Sequence, residues 1–369
     1  MHHGRPRAVG TWPGHTRSLR ITAYGSLWER ARTVGVRQPV RVAWVGALWV
    51  LMLCGVVLGF WTDEGRCGER ARPVQIGALT DSWGPTPPIV GFRDGLVSLG
   101  YREGQDFVLG VRFTQGNRTL LPAAAVQMVE AGADLLFADS NNTAKAVQQA
   151  TTHLPIVFAS VEDPVGSGLV QSFAKPGGNM TGVATRDIAL APKRLQVFHD
   201  LVPNLTRVLF LYDVHDVYSV ASAQLYQQAG QRLGLDVRVA SVHTPAEAQA
   251  RLAQLHQEGI QGLIAPRCCG LNLVAMILEA ANQQRMPSMF LTSDFWMERG
   301  ALASFGFSFY DTGRQAARLA DKILQGVPPA KIPVEVNARI EFTINVQTAN
   351  TLGLVIPPEV LYQADRLVR

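Results

Sequence analysis

Cysteine is scarce in this chain: four residues in 369, at Cys54, Cys67, Cys268 and Cys269. The spacing of the last two is not a zinc spacing. It leaves two readings open, a vicinal disulfide in an oxidising compartment or two separately packed thiols. Catalytic signatures are also missing. There is no P-loop, no H-E-x-x-H and no G-x-S-x-G elbow. Gly166-Ser167-Gly168 starts a G-x-G, but Gln171 stands where a dinucleotide fingerprint needs its third glycine. Five histidines lie in the body (His153, His199, His215, His243, His256), none at metal spacing. The expectation is therefore no metal, no cofactor and no enzyme.

A basic folded surface is lacking as well. The formal net charge is +5, but residues 1–61 hold eight arginines against one acid, Glu29. The remaining chain carries 26 Lys and Arg against 28 Asp and Glu. Nucleic-acid binding needs a basic stripe on the folded part, so no nucleic acid is expected as partner.

What is present begins with a long apolar run. Val42 to Trp61 holds twenty residues without a charge, enough to span a bilayer core. A secretory h-region is shorter, roughly 7–15 residues, and no A-x-A cleavage site follows. The run reads as an uncleaved transmembrane anchor, with a cleaved signal and a buried core helix as alternatives. Residues 1–41 then read as a disordered basic leader on the cytoplasmic side, or an over-called start, and 62–72 as a linker. Anchor or signal, the body is expected on the periplasmic or cell-surface side.

From Arg72 onward, β-branched runs alternate with amphipathic segments of ten to fifteen residues. VQIGALT (74–80), DFVLGVRFT (106–114), ADLLFAD (133–139) and PIVFAS (155–160) read as strands, with helices over 89–101, 120–132 and 142–151 between them. RVLFLYD, DVRVASV, IQGLIAP and PSMFLTS repeat the pattern. Continuous apolar strands between helices indicate parallel sheets covered on both faces. Two sets imply an α/β protein of two doubly wound, Rossmann-like lobes. The joint falls near 179–187. A cleft is expected between the lobes at the strand C-termini.

Ile156 to Thr185 follows a core strand with a crowd of breakers. Asp163-Pro164 gives an N-cap acceptor and a proline at the first helical position. GSGLVQSF reads as a short helix broken by KPGG, and MTGVAT as a strand leaving for the second lobe.

DPVGSGLVQSFAKPGGNMTGV resembles the signature of a bacterial ABC-transporter substrate-binding protein family, whose members include tryptophan and other amino-acid binding proteins. FRDGLVSLGYREGQDFVL, PKRLQVFHDLVPNLTRVLFLYD, GRQAARLADKILQGVPPAKIPVE and FTINVQTANTLGLVIPPEVLYQADRLV continue the resemblance, from about Val74 to Arg369. The resemblance implies a type I periplasmic binding protein fold, two lobes joined by a three-strand hinge that closes on a ligand. Lobe 1 would take 73–184 plus 303–327, and lobe 2 would take 185–302 plus 328–369. The long basic leader and apolar run depart from the family's soluble form.

Loops after strands supply the candidate ligand residues. In lobe 1 these are Thr80 and Asp81, then Ser140, Asn141 and Thr143 at a helix start suited to a carboxylate, then Ser160 and Asp163, with Thr185 at the change of lobe. In lobe 2 they are Tyr212, Asp213, Ser219, Arg267, Ser293 and Asp294. Asp213 or Asp294 would receive an amino group, and Tyr212, Phe295, Trp296 and Tyr310 offer flat apolar surface. Helix capping, solvated loop carboxylates and core packing explain the same residues without a ligand. The resulting expectation is the solute-binding component of an ABC importer, with a small metabolite such as an amino acid as ligand and a permease and ATPase as partners. A membrane-tethered sensor passing closure to a receptor is the alternative.

Overall fold

The computed structural model describes residues 72–267, 271–292 and 295–369. Ser293, Asp294, Cys268, Cys269 and the apolar run at 42–61 lie outside the described residues. No helix among the described residues is long and apolar enough to cross a membrane.

The first lobe starts β1 (Val74–Thr80), α1 (Pro87–Ser98), β2 (Phe107–Phe113), α2 (Leu121–Glu130), β3 (Leu135–Ala138), α3 (Asn141–Ala150), β4 (Ile156–Val161) and β5 (Met180–Ala184). The second starts α4 (Ala191–Leu201), β6 (Arg207–Asp213), α5 (Val217–Leu233), β7 (Asp236–Val242), α6 (Pro245–Leu252), β8 (Gly262–Ile264), α7 (Leu273–Gln283), β9 (Ser288–Phe290) and β10 (Ala303–Phe307). Then follow α8 (Phe309–Leu324), β11 (Glu335–Val336), β12 (Ile340–Asn345), α9 (Val346–Thr351), α10 (Pro358–Leu361) and β13 (Arg366–Val368).

Two separate sheets result. One runs β11-β5-β4-β3-β1-β2, the other β13-β12-β10-β9-β8-β6-β7. Every pair in the first is parallel. In the second, β12 runs antiparallel to β10, with Ala303 opposite Ile344. That strand re-enters the lobe from the hinge, so it travels against β10, which leaves toward the hinge. Each lobe shares one order, its first strand flanked by its second and third, which creates a switch point in each sheet.

Both faces of each sheet are covered, which explains the uninterrupted apolar strands. On β3, Leu135 and Phe137 enter one core of lobe 1 and Leu136 and Ala138 the other. On β6, Val208 and Phe210 face one core of lobe 2 and Leu209 and Leu211 the other.

The chain passes between the sheets three times, after β5, β10 and β11. Strand β10 belongs to the second sheet and β11 pairs with β5 of the first. The return to lobe 1 therefore begins at α8 rather than at 303, and lobe 1 keeps the chain through Val336 rather than to 327. The apolar pattern of β10 reads alike in either sheet, so the sequence does not fix its side. Helix α8 docks on α1 through glycines: a Cβ on Gly91 would stand 1.9 Å from the Tyr310 carbonyl oxygen, and one on Gly313 2.0 Å from that of Pro88.

Asn337 ties the crossings together. Its backbone N–H donates to the Ala184 carbonyl at 3.0 Å. Its Nδ2 donates to the Ser308 carbonyl at 3.1 Å and to Thr312 Oγ1 at 2.8 Å. Buried Arg194 of α4 adds a second tie, from Nη2 to Asp187 at 2.7 Å and from Nε to the Phe305 carbonyl at 2.6 Å.

The short helix expected over GSGLVQSF is a series of turns instead. Gly168 adopts φ of +69°, which stops helical growth after one turn.

Candidate functional site

A cavity of about 100 Å³ lies between the lobes, at the switch points of both sheets. Lobe 1 contributes Asp81 after β1, Asp139 and Ser140 after β3, and Ser160 within β4. Lobe 2 contributes Asp216 and Tyr218 at the start of α5 and Arg267 after β8. Phe309, the first residue of α8, borders it from the second crossing.

Asp139 is the most perturbed acid of the cavity. Burial, and then the negative Asp81 nearby, push its carboxyl up to about 7, against the pull of hydroxyls from Thr86, Thr80 and Thr143. Thr86 Oγ1 donates to Asp139 Oδ2 at 2.6 Å, and Thr143 Oγ1 to Oδ1 at 3.3 Å. A cationic group placed here would relieve both penalties.

The first turn of α3 adjoins this acid. Ser140 is its N-cap in a reciprocal capping box: the Thr143 N–H donates to Ser140 Oγ, and the Ser140 N–H donates to Thr143 Oγ1. The Ser140 and Thr143 side chains are thereby occupied in holding the turn. Its end still carries the partial positive charge that suits a carboxylate. Asn141 Oδ1 accepts the Glu162 N–H at 3.3 Å, fixing the turn to the end of β4.

Ser160 is buried and sits where β4 and β5 slip register, at φ of +58°. Such a conformation is costly for a residue with a Cβ. Its Oγ has no hydrogen-bond partner among the described residues, and the residue borders the cavity. A ligand polar group would satisfy it.

The arginines cross between lobes. Arg118, in the turn after β2, lies 3.4 Å from Asp81 Oδ2 and 3.0 Å from Asp213 Oδ2. Arg267 Nη1 donates to Glu162 Oε2 at 2.8 Å. Its guanidinium stands 5.9 Å from the Tyr218 ring centre and 5.8 Å from that of Phe309. Glu162 also accepts the N–H groups of Asp187 and Ile188, at 3.1 and 3.0 Å. Burial pushes its carboxyl up, and Arg267 opposes that.

Of the residues expected from sequence, Asp81, Ser140, Asn141, Ser160 and Arg267 border the cavity. Thr80 and Thr143 stand behind it, holding Asp139. Thr185 supports Glu162 at 3.4 Å, and Asp213 holds Arg118. Ser219 is spent on capping α5 with Asp216. Among the described residues, three others are not brought to the cavity. Asp163 is exposed and caps a turn through the Gly166 N–H at 2.8 Å. Tyr212 stacks on Phe210 beside the lobe 2 core. Tyr310 points its hydroxyl to Asp94 at 3.0 Å, and its neighbour Phe309 takes the cavity wall. Thr86, Asp139, Arg118, Asp216 and Phe309 were not singled out by sequence. The strand-end rule applied one residue earlier would have reached Asp139.

The family model for ABC transporter substrate binding proteins matches residues 87–368. The chain belongs to the ABC transporter substrate-binding protein family. This is a family of binding proteins rather than enzymes, and its fold here is that of a type I periplasmic binding protein. A tyrosine-binding protein of Clostridioides difficile (strain R20291) is 27% identical over 268 residues, covering 72% of this chain and 76% of that protein. Among solved structures, the ABC domain from Streptococcus pneumonia in complex with L-Trp is 25% identical with a TM-score of 0.69, covering 80% of this chain and 100% of that one. A conserved domain protein from Vibrio cholerae is 29% identical with the same TM-score of 0.69, covering 80% of this chain and 99% of that one.

Proposed function

We propose that this member of the family is the extracytoplasmic component of an ABC importer and captures an amino acid between its lobes. The observation that carries the reading is one cavity with an acid, Asp139, beside a helix start, at α3. A zwitterion needs both within a few ångströms. The ammonium would lie on Asp139 and Asp81. The carboxylate would meet the first turn of α3 and the Ser160 hydroxyl. Tyr218 and Phe309 offer ring faces to an aromatic side chain. The tyrosine- and tryptophan-binding relatives support this choice of ligand. Hinge closure would follow from the three crossings, and delivery would go to a permease with its ATPase.

Isothermal titration of the protein with L-tyrosine, L-tryptophan and a panel of other amino acids tests the reading. Micromolar binding of one class is expected, with a loss of about tenfold or more for Phe309→Ala with an aromatic ligand. Absence of heat for every amino acid would reject it. The apolar run at 42–61 favours an anchor in the inner membrane, and with it a second reading, a tethered sensor acting on a receptor. Permease and ATPase genes beside this one would decide for import.

A further inference from the structure

Two guanidinium groups bridge the lobes in opposite directions, and each bridge is complete from protein atoms alone. Arg118 is anchored in lobe 1, beside Asp81, and ends on Asp213 of lobe 2. Arg267 is anchored in lobe 2 and ends on Glu162 and the Ser160 carbonyl of lobe 1. All four ionised side chains are largely shielded from water, the Arg267 and Glu162 pair at 13% and 9% exposure.

We propose that Arg267 and Arg118 are closure latches: positioning residues that draw the lobes together from opposite sides of the cavity, whether or not it is filled. This deepens the reading of the cleft as the ligand site and rests on it for its consequence, though not for its test. Glu162 is the fixed half of the first latch. Two backbone N–H groups at the first crossing already hold its carboxylate, at 3.1 and 3.0 Å. Opening the cleft would leave that carboxylate in place and carry Arg267 away. The aromatic faces of Tyr218 and Phe309 flank the guanidinium and restrict where it lands.

The physics suits a latch rather than a lock. A buried ion pair pays heavily in desolvation, so its net gain over solvated partners is small. Opening returns both charges to water, and the two states stay close in free energy. Removing one partner is different, because the closed state then buries an unpaired charge. Closure also sets ligand affinity, since only the fraction of closed-competent protein binds at full strength.

Hydrogen exchange on the full chain, with no ligand added, tests the proposal. Arg267→Ala and Glu162→Gln should speed exchange about tenfold across segments 139–143 and 160–168, with α4 and β6 unchanged. Arg267→Lys keeps the charge and should restore part of the protection. Arg118→Ala should speed exchange at the same segments. Unchanged cleft exchange in both arginine variants would overturn the proposal. So would equal acceleration in α4 and β6, which marks a merely structural role. If Arg267→Ala fails to fold, Glu162→Gln and Arg118→Ala decide by the same criterion. In a separate arm, L-tyrosine and L-tryptophan should bind Arg267→Ala more weakly than the parent. Failure of the parent to bind either rejects the amino-acid reading and leaves the exchange result standing.

Discussion

Asp139 concentrates the electrostatics of the cavity in one side chain. Its carboxyl is raised to about 7 in the folded state, while an unfolded chain returns it to about 4. The folded protein thus holds this proton more tightly, and stability from it is complete at low pH. It is lost as pH rises between these values, by on the order of 4 kcal/mol at most. Asn at this position cannot titrate, so the difference in urea stability between the parent and Asp139→Asn isolates the effect. That difference should move against the parent from pH 5 to pH 8, and a flat difference would refute the assignment. A bound ammonium reverses the preference and favours the carboxylate. Amino-acid affinity should therefore be about tenfold weaker at pH 6 than at pH 8, and Asp139→Asn should abolish that slope.

Helices α1 and α8 meet where glycine is required. With a Cβ at Gly313 placed 2.0 Å from the Pro88 carbonyl oxygen, Gly313→Ala must force the pair apart. A loss of about 1–3 kcal/mol is expected from urea unfolding at constant m-value. Gly84→Ala, where nothing lies within 4 Å, should leave stability unchanged. Contacts of this kind are invisible in the sequence, although the elements themselves were legible. Strands such as β1, β3 and β6 showed as apolar runs because both faces are buried, and the loops after them yielded Asp81, Ser140, Ser160 and Arg267. Arg118 escaped because its reach depends on the other lobe's position. Phe309 and Tyr310 are equally aromatic in sequence, and only the phase of α8 at its docking face decides which one meets the cavity. The turn at 164–173 was misread because proline after a capping aspartate signals a helix start, while Gly166 and Gly168 remove its continuation.

At the scale of the whole molecule, Asn337 joins the three crossings. Asn337→Ala removes two donated bonds, to the Ser308 carbonyl and to the Thr312 hydroxyl, which keep their bond to each other and, for the carbonyl, the bond from the Thr312 N–H. A stability loss of about 1–3 kcal/mol is expected. Small-angle scattering should also show a wider spread of lobe separations than in the parent, and an unaltered profile would remove Asn337 from the hinge. The crossings carry one more consequence. Lobe 1 takes a face helix from 309–324 and an edge strand from 335–336, while lobe 2 takes strands from 340–345 and 366–368. A chain leaving the ribosome, or threading a translocation channel, has finished neither half when residue 300 has emerged. Both halves take their closing elements from residues 309–368, so neither lobe can be finished from the stretch of chain that begins it.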